Sequence, residues 1–305
     1  MSTRRRTLHD NVSLARTHGH AVQERARRSL FGTVWERMLE TEIIDRSVGL
    51  AGKAFTSFFP LVITVAAFLP AHSRMAIVTG LADRFGITGH AYDTVKQAFA
   101  SPREIRSGAG FIGLVLTLFF ASSFTTALER IYLRAWRRPA GSPLSWLGPY
   151  VRGGTWVTAF IVYVALLGLA REMLWGGVLT VLFCVVALAL STAVWWFTTW
   201  MMLARQVRFR VLIPSGLITG ALVSALALSS SLWMPLNVSL NQQQYGLFGV
   251  TLALITWFSV AAICIVVGAC AGSVLAEDPG PLGTRIRGGK AEVLVDDAAP
   301  ALPRL

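Results

Sequence analysis

The run that begins Val211-Leu212-Ile213-Pro214-Ser215-Gly216 and ends Gly272-Ser273-Val274-Leu275-Ala276 holds no Asp, Glu, Lys, Arg or His. A domain in water cannot enclose so long a segment without giving its outer face some charge, whereas a bilayer can. One polar break interrupts the run, Pro235-Leu236-Asn237-Val238-Ser239-Leu240-Asn241-Gln242-Gln243-Gln244. Each flank exceeds the roughly 20 helical residues that cross a ~30 Å hydrocarbon core. Hydrocarbon offers no hydrogen-bond partner, so both flanks must be helical, and the break is expected to be a short uncharged loop.

Composition extends this to the whole chain. Hydrophobic residues make up 54% and charged residues 14%, against about 25% charged in a soluble domain. The mean hydropathy is +0.56. Apolar segments recur along most of the length, so one membrane bundle is more economical than two soluble domains. The 28 basic and 16 acidic residues give a net charge of +12, which suits contact with anionic lipid or nucleic acid. Cys184, Cys264 and Cys270 all fall in apolar runs. Six residues place Cys264 and Cys270 about 240° apart on a helix. No disulfide framework or zinc spacing is present, and all three are expected as small core residues.

Residues 1–29 form a basic tail with Arg4-Arg5-Arg6, Arg16, Arg25, Arg27 and Arg28. It is expected to be disordered. No apolar core precedes residue 49, so no cleavable signal peptide is expected; His18-Gly19-His20 is expected to be solvated rather than metal-bound. Over residues 30–46, Leu30, Phe31, Val34, Trp35, Met38, Leu39 and Ile43 recur at helical spacing, with Glu36, Arg37, Glu40 and Glu42 on other faces. That pattern is an amphipathic helix lying in the membrane interface or packed on the base of the bundle.

Spans follow at about 49–70, 107–128, 153–170, 176–203, 212–234 and 246–275. The expected fold is therefore an all-α, six-transmembrane-helix bundle within residues 30–276. Residues 71–107 should form two short interfacial helices, and 277–305 a second disordered tail. Trp175 on one side and Trp195, Trp196 and Trp200 on the other suggest an aromatic belt. Gly216–Gly220 and Gly268–Gly272 are G-x-x-x-G helix contacts, from which dimerisation does not follow. Gly108-Ala109-Gly110-Phe111-Ile112-Gly113 matches G-x-G-x-x-G. A dinucleotide site needs a preceding strand and a following acid; here the glycines open a membrane helix and serve packing.

Loop charges set the orientation. Segments 1–48, 129–152, 204–210 and 277–305 carry nine, five, three and four Lys/Arg. The alternate loops 71–107, 171–172 and 235–245 carry five, one and none. The positive-inside bias puts both termini in the cytoplasm. Membrane insertion thus accounts for most of the basic excess without a nucleic-acid partner.

Several motifs in order resemble one family. They are Asp45-Arg46 with Ser57-Phe58-Phe59-Pro60-Leu61, Gly108 to Leu114, Arg210-Val211-Leu212-Ile213-Pro214-Ser215-Gly216, and Tyr245-Gly246-Leu247-Phe248-Gly249 with Trp257. Over roughly residues 30–280 the chain resembles the YihY/BrkB family of bacterial six-span inner-membrane proteins. Where that family often has Gly-Ala-Glu late in the sixth span, this chain has Gly268-Ala269-Cys270. The family once carried the label ribonuclease BN. Phosphodiester hydrolysis needs metal-holding carboxylate or His clusters, or an acid–base pair. Here the acids Glu24, Glu36, Glu40, Glu42, Asp45 and Glu129 share helix surfaces with Arg, so a nuclease, and enzymatic function generally, is not expected. No cofactor or metal is expected.

Two functions remain. The resemblance implies a transporter or flippase-like protein for an anionic lipid or similar amphiphile. Its candidate path is Lys53, Ser57, Pro60, Ser122, Ser123, Thr126 and Arg130, with Thr125 adding a hydroxyl and Pro214 a second bend. Lys53 either snorkels to the headgroups or faces inward. The hydroxyls either line a wet cavity or bond neighbouring backbone. The alternative is a non-transporting scaffold that recruits partners or anionic lipid through its basic face. A proton-coupled transporter is disfavoured, because no Asp or Glu lies at mid-membrane depth.

Overall fold

The computed structural model describes residues 30–68, 79, 110–139, 148–174, 176–177, 179–204, 206–245 and 248–288. The basic tail with His18 and His20, most of the 71–107 loop, Trp146, Trp175 and the chain after 288 lie outside the described residues.

Among the described residues, eight α-helices follow one another: α1 Leu30–Glu40, α2 Ile43–Phe68, α3 Gly110–Ala135, α4 Gly148–Leu174, α5 Leu179–Met202, α6 Ile213–Tyr245, α7 Phe248–Glu277 and α8 Pro281–Ile286. A 3-10 turn, Phe209–Leu212, leads into α6. Among the described residues, α4, α5, α6 with its leading turn, and α7 are long and apolar enough to cross a membrane. The first and second expected spans overlap α2 and α3, each of 26 residues, which are not among those four.

Four boundaries differ from expectation, each for a physical reason. The amphipathic helix expected over 30–46 ends at Glu40, because Glu42 takes the left-handed conformation at φ 55°. The first span helix then starts at Ile43. The second helix runs past residue 128 to Ala135, where Leu128, Ile131, Tyr132 and Ala135 are fully buried and packing extends it beyond the apolar run. The polar break expected as a loop is helical: α6 continues through Pro235 to Tyr245. Met234 and Val238 pack against Ala253 and Leu254 of α7, and Asn241 donates its side-chain amide to the Asn237 carbonyl. Its 33 residues reach ~50 Å at 1.5 Å each, longer than the hydrocarbon core. Finally, the segment after Glu277, expected to be disordered, forms α8.

The main core lies at the Arg-rich end. It joins Leu50 of α2, Tyr132 and Trp136 from α3 and its end, Met202 of α5, and Val266, Ala269 and Cys270 of α7. Trp195, expected in an aromatic belt, belongs to this core, whereas Trp196 stacks on Phe209 with ring centroids 4.1 Å apart. Of the cysteines, only Cys270 is buried; Cys184 is exposed.

Both G-x-x-x-G motifs pack within the chain. A methyl on Gly216 or Gly220 would meet α5 backbone, at Trp196 Cα (2.7 Å) and Thr192 N (2.8 Å). One on Gly268 would meet Thr219 Cα of α6 at 2.8 Å, and one on Gly272 the Ser215 backbone. At these approaches Ser191 donates to the Gly220 carbonyl at 3.1 Å and Ser215 to the Gly268 carbonyl at 3.4 Å. Bare backbones let the helices close on each other, and a serine then bridges them.

Candidate functional site

Two polar constellations stand out, a seam between α2 and α3 and a buried knot under α1. The seam contains the residues singled out in the sequence. Lys53, nearly three turns inside α2, is half-buried and points its Nζ at the Ser123 carbonyl of α3, 3.5 Å away. Among the alternatives for Lys53, this is the inward one. Ser57 follows one turn along α2 and Pro60 one turn further. Ser123, Thr126 and Arg130, at i, i+3 and i+7, share one face of α3. None of these three is buried, and Arg130 is exposed. The result is a half-open polar track.

The other candidates do different work. Ser122 is buried and lies beneath Gly153 of α4, where an added methyl would come within 2.9 Å of its backbone nitrogen. Its hydroxyl donates to the Phe119 carbonyl at 2.7 Å. Thr125 donates to Ala121 and Thr126 to Ser122. Ser57 donates to the Lys53 carbonyl at 2.8 Å. These hydroxyls therefore bond neighbouring backbone, and Ser122 sits in a helix contact rather than on the open track. Pro60 lies inside α2 and has no N–H for the Thr56 carbonyl, so one helix hydrogen bond is missing there. Ser57 reaches only the turn before it. Pro214 sits in the first turn of α6, where a missing N–H costs nothing, and makes no bend.

The knot centres on Arg37, which the helical pattern assigned to a polar face. Its side chain is 4% exposed. It donates to the Ala135 carbonyl at 2.5 Å, to Ser273 Oγ at 3.2 Å and to Glu277 at 2.7 Å. One guanidinium thus fastens α1 to the ends of α3 and α7, whose carbonyls have no partner of their own helix. Meanwhile Phe31, Trp35 and Leu39 of α1 stay exposed. The helix presents an apolar outer face and is anchored to the base of the bundle. Thr41 is buried beside Arg37; it donates to the Arg37 carbonyl at 2.7 Å and accepts from Cys270 Sγ at 3.5 Å. Cys270 occupies the place where an acid would be expected from the resemblance, and the carboxylate nearest Arg37 is that of Glu277, two turns on. Tyr132 lies fully buried next to Thr199 and Thr219 without completing a hydrogen bond of good geometry. No short-range pattern flags this knot, since its partners come from distant helices.

Ion pairs ring the knot. Arg137 meets Glu40 at 2.7 Å, Arg134 and Arg46 share Glu42, and Arg152 pairs with Glu129 at 2.5 Å. The hydrogen bonds that the Arg137 guanidinium donates to Glu40 push its pKa above the ordinary value, while burial pulls that of Arg138 down.

A protein-family model described as "Virulence factor BrkB" matches residues 34–284. No curated protein and no solved structure gives a significant match.

Proposed function

The chain belongs to the virulence factor BrkB family, and from that premise we propose that it moves an anionic lipid or similar amphiphile across the membrane. In this reading six helices cross, α2 to α7, with both termini cytoplasmic in a bacterial inner membrane. The carrying observation is the half-open seam: Lys53 held toward Ser123, beside Ser123, Thr126 and Arg130 on one face of α3. A headgroup tracking such a seam meets hydroxyls and two cations while its acyl chains stay in oil. Charged groups at membrane depth are costly and tend to mark such paths. The protein acts without enzymatic chemistry, metal or cofactor, and its partners are anionic membrane lipids rather than nucleic acid.

The test is lipid movement in reconstituted vesicles. Lys53→Met and Arg130→Gln should each slow transfer of an anionic lipid severalfold, with a zwitterionic lipid less affected. Unchanged rates would remove the seam as the path. One observation favours a second reading, a non-transporting scaffold: the Ser57, Ser122, Thr125 and Thr126 hydroxyls are already satisfied by their own helices. That reading predicts no lipid movement and loss of function on deletion of residues 1–29.

A further inference from the structure

The cations at the Arg-rich end differ in their partners. Arg37, Arg46, Arg134, Arg137 and Arg152 each meet a carboxylate. Arg210 and Arg285 are exposed and have no carboxylate partner among the described residues. Both line one open groove of about 240 Å³ between the start of α6 and α8, whose other walls are Ile213, Pro214 and Ile286. The nearest acids in sequence are otherwise placed: Glu277 is taken by Arg37, and Asp278 packs against Gly280 and Gly283.

Depth and shape narrow the occupant. Arg210 is the last charge before the uncharged run from Val211 to Ala276, so the groove opens at the edge of the hydrocarbon. Trp196, which donates Nε1 to the Phe209 carbonyl at 2.7 Å, marks the same level, as interfacial tryptophans do. Below the groove, exposed Ile213 and Leu217 stand one turn apart on α6 and lead toward the membrane interior. The volume is below the roughly 300–1,000 Å³ of drug-sized sites and suits a headgroup. Guanidinium forks match phosphate oxygens.

We propose that Arg210 and Arg285 bind the phosphate of one anionic glycerophospholipid from the surrounding leaflet, with an acyl chain along Ile213 and Leu217. The bound lipid fastens α8 to α6. The proposal rests on membrane embedding and does not depend on transport or on the Lys53 seam.

The test uses the full chain in nanodiscs and native mass spectrometry, probing phosphatidylglycerol, phosphatidylcholine and inorganic phosphate. Wild type should retain one phosphatidylglycerol and no phosphatidylcholine. Arg210→Gln and Arg285→Gln should each weaken retention roughly five- to tenfold, and the double variant should abolish it. Arg46→Gln, which removes an equal charge at a paired position, should keep wild-type retention. Thermal melts of every variant in phosphatidylcholine discs confirm folding; if the double variant does not fold, the two single variants decide. Retention unchanged in the Arg210 and Arg285 variants would overturn the proposal. So would equal loss in Arg46→Gln, which means diffuse attraction. Displacement of the lipid by millimolar inorganic phosphate would mean a free-anion site and would also overturn it.

Discussion

α7 and α4 are both apolar enough to cross a bilayer, with mean hydropathies of 2.5 and 1.8, yet 28% of the apolar stretch of α7 is buried and none of that of α4. Hydropathy does not explain the difference. α5 and α6 are nearly matched at 2.2 and 2.1 but are 11% and 39% buried. Small residues do explain it. Gly216, Gly220, Gly268 and Gly272 sit where a methyl would strike a neighbouring backbone, while α4 has one such glycine, Gly153 near its start, and its Gly168 faces open space. In oil, a Leu gains little by leaving lipid for protein, so close backbone approach selects which helices form the centre.

The sharpest way to break this comparison is a pair of Gly→Ala substitutions. Gly272→Ala drives a methyl into the Ser215 backbone and should cost about 3 kcal/mol. Reversible unfolding in mixed micelles would measure it; a cost near zero would undo the packing account. Next in size, Glu277→Gln leaves the buried Arg37 with only the more distant Glu40 carboxylate, 3.7 Å away. It should cost about 2 kcal/mol, less than a fully buried pair because Glu277 is 31% exposed. Adding Arg37→Met should recover part of that loss in a double-mutant cycle. Smaller and opposite in sign, Gly168→Ala has room for its methyl and should stabilise by roughly 0.5–1 kcal/mol. Of similar size, Ala204→Gly relieves a left-handed residue at φ 49° after α5 and should raise the melting temperature slightly.

The helical, membrane-embedded character was legible because an uncharged run admits little else. The glycine contacts were legible as motifs, but which helices they join was not. Arg37 marks the limit most clearly. Its spacing among Glu36 and Glu40 suggests a wet face, yet its partners lie 98 and 240 positions away, and no local pattern encodes them. The 235–244 break misled for a related reason. Asn and Gln look like a loop on a hydropathy scale, but Met234 and Val238 between them carry the packing that keeps α6 helical. In the seam, Lys53 was identifiable as an unusual charge, and only the fold chooses Ser123 as its target.

The account's central claim is that the α2–α3 seam is a wet path, and thiol labelling tests it most directly. With Cys184, Cys264 and Cys270 replaced by Ala, single Ser57→Cys and Thr126→Cys chains in intact vesicles would be exposed to a membrane-impermeant maleimide. Water in the seam predicts rapid modification at both positions, slowed by added anionic lipid. Two thiols that stay unmodified until detergent opens the bilayer would contradict it.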